Sequence, residues 1–168
     1  MDRIKDPGAL ASIANNRKTD WHVGEAATRQ IRDESLLVTI VANRYLSYPV
    51  RLAAIDGLAD QTLLEKLLTQ IDSNKLKIDI IGKLTAKGRL ESLALDKSAD
   101  LGIRAAAVSR ITIDRIDSQE LLAAVAITDV LGEPTSLQVT QKLTSQSYLA
   151  TVANRQPGRL FGRLHSRI

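Results

Sequence analysis

Apolar residues recur along this chain in two alternating patterns. The first is a short segment that appears six times, from Ala9-Leu10-Ala11-Ser12-Ile13-Ala14 to Tyr148-Leu149-Ala150-Thr151-Val152-Ala153. Leu10, Leu37, Leu64, Leu90, Leu122 and Leu149 hold the same place in each copy, at steps of 27, 27, 26, 32 and 27 residues. The second pattern lies between these segments. Val23 to Ile31, Val50 to Leu58, Leu76 to Leu84 and Ile103 to Ile111 each keep two apolar ends 8 residues apart, and Thr135 to Leu143 is a weaker fifth copy. Apart from Asp79 in the third copy, apolar or Ala residues fall at relative positions 0, 3, 4 and 8 of the four clear copies of this pattern, which is one face of a helix with 3.6 residues per turn. The chain therefore reads as repeated units of helix A, turn, helix B, turn.

Capping chemistry gives the same register. Asp6, Asp33, Asp60, Ser118 and Ser145 each stand four residues before an aligned leucine, and Asp20, Ser47, Ser73 and Asp100 three before an aligned Val, Leu or Ile. Side-chain oxygens of Asp and Ser accept the orphan N–H groups of a helix's first turn. Pro7 follows Asp6 at the first helical position, where its missing N–H costs nothing. The units predicted are residues 6–32, 33–59, 60–86, 87–116, 117–144 and 145–154. The long step places extra residues in the turn Thr112-Ile113-Asp114-Arg115-Ile116-Asp117. No helix pair of this kind buries its apolar stripe alone, so each must lean on its neighbours.

Two short helices per unit, a period near 27 and the cores Val50-Arg51-Leu52-Ala53-Ala54-Ile55 and Ile103-Arg104-Ala105-Ala106-Ala107-Val108 resemble HEAT-like repeats. The similarity is to the short variety found in phycobilisome-lyase-type and other bacterial HEAT proteins, and it covers roughly residues 6–154. It implies an all-α, right-handed α-solenoid of about six two-helix repeats occupying residues 1–154. Such solenoids mostly present binding surfaces, and the likeness speaks for fold far more than for function. No motif here maps onto a bilin site, so lyase activity does not carry over.

Composition narrows the function classes. The absence of Cys excludes disulfide scaffolds, thiolate metal sites and thiol catalysis, and two His are few for a histidine metal cluster. No run of apolar residues is long enough to span a membrane. The start, Met1-Asp2-Arg3-Ile4-Lys5-Asp6, lacks the apolar core of a secretory signal, so the expected compartment is the cytoplasm. Charge is unevenly placed. Of 23 basic and 19 acidic side chains, residues 134–168 hold Lys142, Arg155, Arg159, Arg163 and Arg167 and no acid, which leaves residues 1–133 with a net charge of −1. A basic end suits an anionic partner or simply aids solubility.

Several positions could carry chemistry. His22 precedes Glu25 by three residues and shares a helix face with it, as in a proton shuttle, half a metal site or an ordinary surface pair. Gly-rich phosphate loops, Gly-x-Ser-x-Gly elbows and His-Glu-x-x-His motifs are missing, and neither catalysis nor a cofactor is expected. Arg51, Lys77 and Arg104 share one repeat position, interrupted at Gly24 and Ser136. Half-buried cations are normally paired, so these three read as a structural ladder bonding to a carboxylate or helix end of the adjacent unit. Lys83, Arg110 and Lys142 share another position, near the edge of the apolar arc. They form either a basic line for a phosphate backbone or acidic segment, or three unrelated solvated charges. Trp21, Tyr48 and Leu101 align two residues before the helix B core. They staple the turn to the next helix or make an aromatic rim for a partner.

The end of the chain has its own pattern. Arg155, Arg159, Arg163 and Arg167 recur at a spacing of 4, beside Leu160, Phe161 and Leu164. Residues 155–168 thus predict a basic amphipathic segment or a terminal capping helix, although Gly158 and Gly162 weaken a helix. The function expected is a non-catalytic scaffold with a protein partner. The alternative is a nucleic-acid-binding solenoid that uses the basic line and the tail.

Overall fold

The structure is a computed structural model that describes residues 6–111, 118–128 and 139–155, Arg155 by its backbone alone. Every regular element among the described residues is helical. The helices are α1 (Pro7–Asn15), α2 (Trp21–Thr28), α3 (Glu34–Ala42), α4 (Tyr48–Gly57), α5 (Gln61–Gln70), α6 (Asn74–Ile81), α7 (Lys87–Leu95), α8 (Leu101–Arg110), α9 (Gln119–Thr128) and α10 (Gln146–Arg155). A further helical stretch covers residues 139–142. The extra residues of the long step, 112–117, lie outside the described residues.

The caps form where the sequence places them. Asp6 accepts from the amides of Gly8 and Ala9, Asp60 from those of Thr62 and Leu63, and Asp100 from that of Gly102. Asp20 and Asp33 cap α2 and α3, and Ser73 caps α6. Ser47 occupies the N-cap of α4 without a side-chain bond. Pro49, two residues on, has no N–H to offer it. At α7 the N-cap is Ala86, also without a side-chain bond.

The chain forms two compact units, Met1–Thr85 and Ala86–Ile168. In the first, each helix A packs on its own helix B: α1 on α2, α3 on α4, α5 on α6. Helices A also touch one another in order, α1 to α3 to α5, and so do helices B, α2 to α4 to α6. The second unit repeats part of this scheme, with α7 on α8, α7 on α9 and α9 on α10.

The core is aliphatic and follows the repeat. Leu10, Leu37, Leu64, Leu90 and Leu122 are buried. Leu149, the sixth aligned leucine, is half-buried. In the helix B pattern the far ends Ile31, Leu58, Leu84 and Ile111 are buried, as are Ala27, Ala54, Ile80 and Ala107. Relative position 3 meets the expectation only at Ala53, which is buried; Ala26 is exposed, and Asp79 and Ala106 are half-buried. Position 5 takes its place, with Thr28, Ile55, Ile81 and Val108 all buried. Both belong to an arc compatible with 0, 4 and 8, and position 5 is the side of it that is buried in all four copies. Val23 is a second departure. Its counterparts Val50, Leu76 and Ile103 are buried, but Val23 is 52% exposed.

A bridge that the sequence did not disclose joins successive units. The first residue of helix A reaches the turn that precedes the next helix A. Glu34 Oε1 and Oε2 accept from the amides of Ala59 and Asp60 at 2.9 and 3.2 Å. Gln61 Oε1 accepts from the Thr85 amide at 2.9 Å, and its Nε2 donates to the Lys83 carbonyl at 3.3 Å. Gln119 Oε1 does the same for the amides of Thr144 and Ser145 at 2.8 and 3.2 Å. These bonds satisfy turn amides that helix packing leaves without partners.

Candidate partner-binding surface

Three of the cations singled out by the repeat are engaged with backbone. Arg51 is 9% exposed, and its Nε donates to the Val41 carbonyl at 2.8 Å. Arg104 Nε donates in the same way to the Ala94 carbonyl at 3.2 Å. Both acceptors are the late carbonyls of the helix A in the same unit, α3 and α7, which lack intrahelical donors. The ladder therefore ties helix B to its own helix A, not to an adjacent unit. Burial pushes the Arg51 guanidinium below its ordinary pKa, and it stays charged at any physiological pH. Lys77 is half-buried and makes no such bond among the described residues. The gap at Gly24 has a steric reason: a Cβ there would stand 3.2 Å from Val50 Cγ2.

The proposed basic line loses its first member in the same manner. Lys83 Nζ donates to the carbonyls of Ile55 and Asp56 at 2.9 and 2.6 Å. It caps the C-terminus of α4, where a cation also meets the negative end of the helix dipole. Arg110 and Lys142 are exposed. The Arg155 side chain and residues Arg159, Leu160, Phe161, Arg163, Leu164 and Arg167 lie outside the described residues.

The aligned aromatic position splits into two roles. Tyr48 is half-buried and joins α4 to α6, its hydroxyl donating to Asp79 Oδ2 at 2.9 Å. Lys75 Nζ lies 3.6 Å from the centre of the same ring, a cation–π contact. Burial, and then the bond to Asp79, push the Tyr48 hydroxyl up to about 12. Trp21 and Leu101, by contrast, remain 43% and 57% exposed.

Trp21 lies on a cleft between the α1–α2 turn and the α3–α4 turn. The cleft is open to solvent, with a volume of about 450 Å³. Ala14, Gly24 and Val50 are among its apolar lining, with Trp21, Tyr45 and Arg17 beside them. Sequence reasoning missed Tyr45, which is 65% exposed. Its signal is the turn itself. Asn16-Arg17, Asn43-Arg44 and Asp96-Lys97 repeat an Asx residue followed by a cation. The Asx side chain accepts from the amide two residues on, at 3.0, 3.1 and 2.9 Å for Asn16, Asn43 and Asp96, an Asx turn.

The His22 pairing also differs from expectation. His22 Nδ1 lies 3.0 Å from Asp20 Oδ1, its ring stacks on Trp21 with centroids 3.4 Å apart, and Glu25 pairs with Arg29 at 2.8 Å. The N-cap carboxylate captures the imidazole before Glu25 can. The His22 amide, and then its ring, hold the Asp20 carboxyl below the ordinary carboxylate value. Among the described residues no cluster of three or more metal-ligating side chains forms, and no helix is long and apolar enough to cross a membrane. No family model matches this chain, nor does any curated protein or solved structure.

Proposed function

We propose that this chain is a HEAT-like α-solenoid that serves in the cytoplasm as a non-catalytic scaffold for a protein partner. The observation that carries the reading is the exposed Trp21 and Tyr45 on the two sides of one cleft. Aromatic side chains with a wet polar end and an apolar body are the groups that dominate protein interfaces. Support also comes from the fate of the repeat cations. Arg51, Arg104 and Lys83 hold helix ends, which weakens the case for a basic column along the repeats. The successive contacts of helices A with helices A, and B with B, suit a solenoid.

The competing reading is a nucleic-acid-binding solenoid that relies on Arg110, Lys142 and the tail arginines. A fluorescence anisotropy titration of labelled duplex DNA and single-stranded RNA with the full chain, at two salt concentrations, separates the two. The scaffold reading expects no binding even at low salt. Binding that weakens with salt at a slope of about −0.9 per duplex phosphate contacted, and loses up to about three of that slope in an Arg159→Gln, Arg163→Gln, Arg167→Gln variant, would establish the alternative.

A further inference from the structure

We infer that the cleft between the α1–α2 and α3–α4 turns docks an extended acidic peptide segment that inserts one bulky apolar side chain. This deepens the scaffold reading and rests on it. Four features of the same place argue for that occupant.

The cleft has the size of a small binding pocket, about 450 Å³, within the range of sites that hold a compact ligand group. Ala14, Gly24 and Val50 belong to its lining but are largely covered, and Asn16, Thr19 and Ser47 add polar groups. Gly24 lets Val50 pack close against α2, since a Cβ there would stand 3.2 Å from Val50 Cγ2. Trp21 and Tyr45 stand beside it with much of their ring surface exposed. An apolar side chain entering here would exchange water contacts chiefly for contacts with the exposed Trp21 and Tyr45 rings.

The surroundings are cationic. Arg17 lines the cleft, and Lys18 and Arg44 are its sequence neighbours on the same two turns. All three are exposed, and none makes an ion pair among the described residues. Arg44 instead lies 5.1 Å from the Tyr45 ring centre and donates to its hydroxyl at 3.1 Å. Unpaired cations around an apolar pocket favour a partner with carboxylates flanking an apolar anchor.

One lining group argues for a peptide over a nucleic acid. Asp20 belongs to the lining, and its bonds to His22 hold its carboxyl below the ordinary value. A phosphate backbone laid across the cleft would meet that carboxylate. A peptide whose acidic residues fall on the Arg17 and Arg44 side can instead meet it with a backbone amide, which donates to it.

The cleft also contains its own probe, since Trp21 is the only Trp of the chain. The full chain is titrated with short peptides in which acidic residues flank a central Phe, Leu, Met or Ala, and Trp21 emission is followed. The Phe, Leu or Met peptides should saturate the signal in the micromolar range, on the order of 1–100 μM. The Ala peptide should bind about ten-fold more weakly, and so should the Phe peptide to a Tyr45→Ala variant. Arg17→Gln combined with Arg44→Gln should weaken binding several-fold and flatten its salt dependence. These residues are all exposed, so the variants keep the fold, and far-ultraviolet circular dichroism checks it.

No change in Trp21 emission up to about 1 mM peptide, an Ala peptide as tight as the others, or an oligothymidylate that binds more tightly than any peptide would each overturn the inference. A further arm separates this failure from failure of the scaffold reading. A polypeptide captured equally by the wild type and the Tyr45→Ala variant overturns the cleft and leaves the scaffold intact. A polypeptide captured by the wild type alone, and displaced by the Phe peptide, supports both.

Discussion

Leu64 and Asp60 belong to one helix start and hold it in different ways. Leu64 is fully buried, so Leu64→Ala removes transfer energy and leaves a cavity, at a cost of about 2–5 kcal/mol. Asp60 Oδ1 accepts from the amides of Thr62 and Leu63 at 2.7 and 3.2 Å, and Asp60→Ala should cost about 0.5–2 kcal/mol. Urea melts should rank the two in that order, and equal small shifts would contradict the register. Tyr48 makes stability depend on alkaline pH. Its hydroxyl titrates near 12 in the fold against 10 for the ordinary phenol, so the folded state holds the proton more tightly. The contribution is complete below pH 10 and is lost as pH rises from 10 to about 12. Thermal melts of wild type and Tyr48→Phe should diverge in this window, the wild type falling faster. Parallel curves would mean that burial does not hold the phenol neutral.

Helix starts and the leucine face were legible in the sequence because both are local. An Asp or Ser cap and an apolar stripe four residues later are set within one turn of chain. The bridges made by Glu34, Gln61 and Gln119 were not legible, although the residue type recurs at the first helical position. Their partners lie 22 to 26 residues away, and a polar helix start looks the same whether it faces water or a neighbouring turn. Lys83 misled for the same reason: its position suggested a solvated head, and only packing brings the end of α4 to it. Val23 shows the limit of alignment, since a core position in one copy of a repeat is core only where a neighbour covers it. Gln61 offers the sharpest element-level test. Gln61→Ala removes the acceptor of the Thr85 amide and hydroxyl, worth about 0.5–1.5 kcal/mol for each bond, while Gln61→Glu keeps that acceptor as Glu34 does. Hydrogen exchange at the Thr85 amide should accelerate in the Ala variant and stay slow in the Glu variant. Equal rates in both would show that the bridge does not protect the turn.

At the level of the whole chain, charge and exposed aromatics carry the functional account. The repeat cations Arg51, Lys83 and Arg104 bond to backbone carbonyls, while Arg17 and Arg44 are exposed beside Trp21 and Tyr45 on the turns of the first unit. The candidate site was half legible. Trp21 stood out by alignment, and Tyr45 did not, because it lies in a turn outside both helical patterns. The most direct test is affinity capture from native-host extract by the immobilised full chain, run with and without nuclease treatment and read by mass spectrometry. The scaffold account expects the same polypeptide to be retained in both extracts, and the cleft inference adds that it is lost when Tyr45 is replaced by Ala. Retention that disappears after nuclease treatment would contradict it and make nucleic acid the partner.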